Sequence, residues 1–207
     1  MVNHKRVARI MRANSWQCQK RKVFITTTEA DPNLPAFENK IRDLKVTGTN
    51  QVWLADLTAI RIQAGFAYLA LVMDAYSRRI VGWALSQRKE ESLTKMALTL
   101  ALRRRKPKPG WIHHSDRGAQ YAASGYVSLV TGNGGVMSMS AKGNPYENSL
   151  MERCIRTIKW EEVKLCEYES FEEALARLED FIERVYNGQR IHSSLGYKTP
   201  VEFEAGR

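Results

Sequence analysis

The sequence predicts an α/β fold, a mixed five-stranded sheet covered by helices on both faces, with a short basic segment ahead of it. Three observations predict this. Residues 51–86 hold three β-rich runs separated by tight turns, helical periodicity follows directly, and short strand-like and helix-like stretches then alternate. At 207 residues and 43% hydrophobic content the chain suffices for one full core and is too short for two large domains.

The elements follow in order. Val7, Ile10 and Met11 recur at helical spacing among Lys5, Arg6, Arg9 and Arg12, which reads as a short basic amphipathic helix over residues 3–16 that cannot bury itself. From Gln17 to Thr49, Thr26-Thr27-Thr28, Asp31-Pro32, Leu34-Pro35 and Gly48 mark a linker or extended arm. We therefore divide the chain into a basic N-terminal segment, 1–49, and a main domain, 50–207. Within the latter, Gln51–Ile60, Phe66–Met73 and Ile80–Ser86 read as an antiparallel meander. Leu93, Met96, Ala97, Leu100 and Ala101 then mark a helix packed on a sheet, and its terminal Arg103-Arg104-Arg105-Lys106 suits the negative end of the helix dipole.

Trp111–His114 and Val136–Met139 read as short strands flanking a weak helix over Gly125–Val130. Helices follow over Glu147–Lys164 and Phe171–Tyr186. Ser170 and Glu173 form a capping-box signature for the last, whose core stripe reads Phe171, Leu175, Leu178, Ile182 and Val185. Thr199-Pro200-Val201-Glu202 repeats the cap for a final short turn.

Charge narrows the class of partner. The net charge is +10, and residues 1–49 carry ten Lys or Arg against four acids, so six of the ten net charges sit in the first quarter of the chain. That asymmetry suits a nucleic-acid arm, since Lys and Arg displace counterions from a phosphate backbone. Cys18, Cys154 and Cys166 form no CxxC pair and are odd in number, which argues against a disulfide framework or a zinc cluster. No apolar run reaches the length of a membrane span and no signal-peptide pattern opens the chain, so a cytoplasmic protein is expected.

Three of the 22 acids are placed oddly for solubilising charges. Asp56 interrupts the apolar strand Val52-Trp53-Leu54-Ala55-Asp56-Leu57, where its side chain competes for backbone hydrogen bonds. Asp116 follows a short strand at its C-terminal edge, where open sheets gather ligands, although Ser115-Asp116-Arg117-Gly118 is also an ordinary turn. Glu152 shares a helix flank with Arg156 and Lys159, while Met151, Ile155 and Ile158 face the sheet. The competing reading is a surface ion pair between Glu152 and Arg156. Three carboxylates from two strands and a helix suit two Mg²⁺ ions held about 3.5–4 Å apart for in-line phosphoryl displacement, with Lys159 on a DNA phosphate.

Other candidates are weaker. His113 and His114 lack a Cys partner and read as strand residues, with His114 facing the cleft as a donor to a ligand side chain. Asp74 reads as a turn residue before Ser77-Arg78, and Arg103–Lys108 as a solvated helix end, with contact to target DNA as the alternative.

Together the motifs resemble one family along almost the whole chain. They are Val2-Asn3-His4-Lys5-Arg6-Val7 with Arg9 to Arg12, Asn50-Gln51-Val52-Trp53 running into Asp56-Leu57-Thr58, Asp74-Ala75-Tyr76-Ser77-Arg78 and Val81-Gly82-Trp83. They continue through His113-His114-Ser115-Asp116-Arg117-Gly118, Gln120-Tyr121, Ser138-Met139-Ser140, Gly143-Asn144 and Asn148 to Glu152, then Tyr186-Asn187, Arg190, His192-Ser193, Leu195-Gly196-Tyr197 and Thr199-Pro200. This pattern resembles the integrase-like OrfB transposases of the insertion-sequence-three family.

The resemblance implies a ribonuclease-H-like fold and a catalytic, metal-binding triad of the DDE type carried onto Asp56, Asp116 and Glu152. The last two are separated by 35 residues, the spacing for which such enzymes are named. It implies Mg²⁺, with Mn²⁺ able to substitute and two ions per site. The implied reaction is hydrolytic nicking at transposon ends followed by attack of the freed 3′-hydroxyl on target DNA. Lys159 matches the family's basic residue on the catalytic helix, and Arg156 joins it as a DNA contact.

A homo-oligomer on DNA and a helix-turn-helix partner from an upstream frame are the implied partners. Pro145 and Glu147 depart from the family's Cys and Asp, both outside the triad. In the family a helical DNA-binding region precedes the Val2-Asn3-His4-Lys5 segment, so the chain is expected to begin inside it. The alternatives are a truncated, inactive DNA-binding remnant and a hydrolysis-only nuclease. The intact acid set favours catalysis.

Overall fold

The computed structural model describes residues 3–14, 35–141 and 145–206. Residues 17–34 of the linker expected over 17–49, with Cys18, and the Gly143-Asn144 motif lie outside the described residues. Helix α1 (His4–Ala13) opens on Asn3, whose side chain accepts from the Lys5 amide, and buries none of its residues, as a lone amphipathic helix must.

Strands β1 (Val52–Ile62), β2 (Gly65–Asp74) and β3 (Ile80–Ser86) form the meander; β4 (Ile112–Ser115) and β5 (Val136–Met139) complete a sheet of order β3-β2-β1-β4-β5. β1 pairs antiparallel with β2 and parallel with β4, so it is the central strand and is covered on both faces. Its alternation sorts two cores. Val52, Leu54, Ile60 and Ile62 face helices α5 (Ser149–Ile158) and α6 (Phe171–Asp180), whereas Trp53 and Ala55 face α2 (Glu91–Arg105), α3 (Ala119–Ala122) and α4 (Ser124–Gly132). Phe37, Ile41 and Val46 lean on these cores, so the end of the N-terminal segment packs on the sheet unit.

Two helices depart from the expected stripes. In α2 the buried set is Leu93, Thr94, Ala97, Leu98, Ala101 and Leu102, while Met96 is exposed. Gly82 sets this line: a Cβ there would run into the Ala97 carbonyl oxygen and lie 2.7 Å from the Ala101 amide nitrogen, so its absence lets α2 close onto β3 along its small residues.

In α6 Leu175 is exposed, and Ala174, Leu178, Phe181, Ile182 and Tyr186 are buried instead. The helix continues through Phe181–Tyr186 in the wider π geometry, which changes the period on which a stripe is read. Ser170 accepts from the Glu173 amide (3.1 Å), but the Glu173 carboxylate reaches back to the Glu169 amide (2.8 Å), one residue beyond the Ser170 amide of the expected box.

The expected helix over Glu147–Lys164 is likewise three pieces: a 3-10 turn (Pro145–Asn148), α5, and a π segment (Lys159–Val163). At the C-terminus, α7 (Pro200–Glu204) carries the full capping box, Thr199 accepting from the Glu202 amide and Glu202 from the Thr199 amide. Glu204 then takes Arg79 (2.7 Å) and Arg105 (2.6 Å), so Arg105 is a structural anchor between α2 and α7 and does not belong to a solvated helix end.

Candidate active site

Strand register builds the site. The parallel β1–β4 pairing ends at Ala55↔Ser115, so Asp56 and Asp116 are the next residues on adjacent strands, which lie about 4.8 Å apart. Asp56 has the parity of Leu54 and Ile60 and therefore lies on the α5 side of the sheet. Beyond the end of β4, the Leu57 amide is taken by Asp56 Oδ1 at 2.7 Å, which compensates an Asp in a strand interior.

Asp116 Oδ1 accepts from the Gly118 amide at 2.9 Å, so the turn reading of Ser115-Asp116-Arg117-Gly118 holds and also fixes the carboxylate. A Cβ on Gly118 would stand 2.9 Å from that same oxygen.

Helix α5 brings the third acid. Buried Asn148 donates to the Ala55 carbonyl oxygen (3.3 Å), tying the start of α5 to β1 one residue before Asp56. Met151, Cys154, Ile155 and Ile158 bury the inner face, leaving Glu152, Arg153 and Arg156 on the outside. Among the described residues neither Asp56, Asp116 nor Glu152 pairs with a Lys or Arg within 4.0 Å. The competing reading, a Glu152–Arg156 ion pair, is therefore not formed.

Charge repulsion links the acids: Asp116 and Glu152 both raise Asp56, and Asp116 raises Glu152. Burial pushes the Asp56 carboxyl up to about 7, with Asp116 and Glu152 adding to the rise and the Leu57 amide and Lys159 opposing it. Burial also raises Asp116, against the pull of the Gly118 amide and Lys89. It raises Glu152 too, with Arg156 opposing and Asp116 reinforcing. Lys159, lowered by burial and sustained by Asp56, stands at the start of the π segment.

These are hard oxygen donors whose ionised forms lack a counter-cation, a set that fits a divalent cation such as Mg²⁺. Among the described residues no three His, Cys, Asp or Glu side chains already close into a cage around one point. Mg²⁺ commonly uses one or two carboxylates and completes its shell with water and substrate phosphate.

Other candidates separate from this cluster. His113 is buried with Nε2 at 2.7 Å from the Tyr126 hydroxyl, a core residue as expected. His114 is buried, and its two ring nitrogens are taken by Ser138 (2.9 Å) and Ser140 (3.1 Å), so it links β4 to β5 and does not serve the carboxylates. Asp74 is the expected turn residue, accepting from the Tyr76 (2.9 Å) and Ser77 (3.0 Å) amides. Glu147 accepts from the Ala141 amide and Arg42, which hold its carboxyl down at about 2. Cys154 and Cys166 are free thiols.

Sequence reasoning missed two residues. One is Asn148, whose Oδ1 is buried and without a partner; its place in the Asn148–Glu152 motif is the only signal for it. The other is Tyr121, whose hydroxyl is also buried and unpartnered and feels the charges of Asp56 and Asp116. Its place in the Gln120-Tyr121 pair is the corresponding signal.

Comparison with known proteins agrees with this geometry. The integrase core domain model matches residues 46–145, and a second integrase core domain model matches residues 133–200. The chain is 37% identical over 207 residues to the transposase for insertion sequence element IS904 of Lactococcus lactis, covering 99% of this chain and 81% of that protein. It is 39% identical over 204 residues to a 31 kDa protein of insertion element IS600 from Shigella sonnei, covering 98% and 75%. It is 35% identical over 203 residues to transposase InsF of IS3A from Escherichia coli, covering 98% and 70%.

Among solved structures, the simian T-cell lymphotropic virus intasome in complex with PP2A regulatory subunit B56 gamma superimposes with a TM-score of 0.65 at 17% identity, over 84% of this chain and 60% of that chain. The magnesium complex of the HTLV-2 integrase catalytic core domain gives 0.57 at 16% identity, over 75% and 97%. These likenesses establish the ribonuclease-H-like fold. From the identities and the domain matches, the chain belongs to the insertion-sequence transposases and carries their integrase core.

Proposed function

We propose that Asp56, Asp116 and Glu152 are the catalytic carboxylates of this transposase and hold Mg²⁺, two ions per site with Mn²⁺ able to substitute, during nicking of transposon ends and joining to target DNA. One observation carries the proposal: the parallel register sets Asp56 and Asp116 side by side, Glu152 feels Asp116, and all three carboxyls are raised without a cation partner. When bound, the metal supplies Lewis-acid stabilisation of the attacking and leaving oxygens.

The chain's own residues do the rest. The Leu57 and Gly118 amides aim the two aspartates. Lys159 and Arg156, on the flank that carries Glu152, bind backbone phosphates and orient the scissile bond. The 3′-hydroxyl freed in the first step attacks a target phosphodiester in the second, breaking one P–O bond and forming another with no net oxidation.

Support for DNA as the substrate comes from the net charge of +10 and from the relatives' names. The N-terminal segment 1–49 is assigned to DNA contact and 50–207 to catalysis. Assembly as a homo-oligomer on DNA is proposed from the intasome neighbour, and an upstream-frame helix-turn-helix partner from the relatives' family. Among the described residues no helix is long and apolar enough to cross a membrane; action on DNA in the cytoplasm is proposed from the relatives' names.

The test is a strand-transfer assay with a pre-nicked transposon-end duplex and plasmid target, in Mg²⁺, Mn²⁺ or EDTA. Metal-dependent joined products that vanish with Glu152→Gln are expected. DNA that is bound but neither cut nor joined would leave a binding protein without this chemistry.

A further inference from the structure

Two motifs play no part in the carboxylate cluster: the Asp74–Arg78 turn and the Arg190–Tyr197 stretch. They meet in one cavity of about 490 Å³ against α5, lined by four arginines (Arg78, Arg153, Arg156 and Arg190) and by no Asp or Glu.

The turn is built to deliver Arg78. Asp74 is fully buried and accepts from the Asn50, Tyr76 and Ser77 amides, and the chain then closes through Arg78 in the left-handed region (φ 63°), a conformation that a non-glycine residue holds only when its surroundings impose it. The Arg78 Nη1 atom ends up buried with no hydrogen-bond partner. Among the described residues Arg78, Arg153 and Arg156 form no ion pair, whereas Arg190 is clamped by Glu161 at 2.7 Å and so has a fixed position. His192, packed edge-on to Tyr186, has a buried Nε2 with no partner.

Buried donors without acceptors cost free energy, and a cavity walled by arginine with no carboxylate offers them to an anion. The two non-bridging oxygens of a phosphodiester can each accept from an arginine fork, whose planar donor geometry matches phosphate.

The location selects which phosphate. Going round α5 from Glu152, Arg156 comes about 40° away and Arg153 about 100°, so Arg156 stands between the carboxylate flank and the cavity. At the mouth, Tyr197 is 71% exposed and offers an aromatic face. We propose that this cavity seats one phosphodiester of the DNA strand leading away from the carboxylates, held by Arg78 and Arg153, with a nucleobase resting on Tyr197. The inference rests on the DNA reading above and adds a second, non-catalytic anchor to it.

The experiment measures affinity for a labelled transposon-end duplex over a salt series, by fluorescence anisotropy, with thermal shift in inorganic phosphate as a second arm. The variants are Arg153→Gln and Ser194→Glu, both at exposed positions lining the cavity, and Lys159→Ala as reference for the catalytic flank. Arg153→Gln is expected to reduce the slope of log affinity against log salt by about one, and Ser194→Glu to weaken binding by about tenfold.

Variants that bind like wild type while Lys159→Ala binds more weakly would overturn the inference and leave the DNA reading standing. Phosphate that raises the melting temperature of wild type but not of Arg153→Gln, with the duplex salt slope unchanged, would make this a free-anion site and equally overturn it. A wild-type protein with no affinity for the duplex would sink both.

Discussion

Asp56→Asn should stabilise the metal-free protein, by a margin that grows as pH rises from about 4 to 7 and is complete above 7. Asp56 has its carboxyl raised from 3.8 to about 7, chiefly by burial and then by Asp116. A group raised in this way binds its proton more tightly folded than unfolded. Ionisation therefore costs the folded state progressively as pH climbs from about 4 to 7, and the full cost is present above 7. About three pH units correspond to roughly 4 kcal/mol, an upper figure because the neighbouring acids share the same repulsion.

Asparagine keeps the acceptor for the Leu57 amide and removes the charge. In EDTA at pH 8 we expect Asp56→Asn to be about 2–4 kcal/mol more stable than wild type by urea denaturation, and at pH 5 the gain should shrink to a fraction of that. Equal stability at both values, or a gain that is no smaller at pH 5, would refute the claim that this carboxylate is held under strain in the absence of a cation.

Three further outcomes follow from the packing. Gly118→Ala places a Cβ 2.9 Å from Asp116 Oδ1 and should cut strand transfer by on the order of a hundredfold while leaving the melting temperature nearly unchanged. A matching loss of stability would show that the turn, and not the carboxylate, is what the glycine protects. Tyr121→Phe removes a buried hydroxyl with no partner and should raise stability by about 1 kcal/mol in chemical denaturation. A loss of similar size would mean that the hydroxyl is bonded. Gly82→Ala, which drives a methyl into the backbone of α2, should cost about 1–3 kcal/mol or more in the same assay, and a neutral result would contradict the close approach of α2 to β3.

The parts of the fold legible in the sequence were those governed by period and punctuation. All five strands stand where β-branched runs and turns placed them, and the central one is continuously apolar where both its faces are buried, Val52–Ala55, with burial alternating at its far end. The stripes of α2 and α6 held at Leu93, Ala97, Ala101, Leu178 and Ile182 and failed at Met96 and Leu175, which are exposed. A helix that docks through Ala97 and Ala101 onto Gly82, or widens into π geometry at Phe181, no longer follows ideal spacing, and neither event leaves a local signature.

Asp56 stood out as an acid inside an apolar strand, whereas Asp116 and Glu152 taken alone read as a turn residue and half of a surface ion pair, and it was the family resemblance that joined the three. Their adjacency was not legible, since it depends on the parallel pairing of β1 with β4 across half the sheet. His114 was misjudged because nothing in the sequence shows Ser138 and Ser140 reaching its ring from β5 and the residue just beyond it. Arg105 was misjudged for the same reason: its partner Glu204 is 99 residues away.

The central claim is that these carboxylates hold the divalent cation, and the most direct test is Mn²⁺ binding followed by the loss of the free-ion electron paramagnetic resonance signal, with transposon-end DNA present. The account predicts saturable binding by wild type and Lys159→Ala, with binding lost or severely weakened in Asp116→Asn. Undiminished Mn²⁺ binding by Asp116→Asn would contradict it and place the metal elsewhere on the chain.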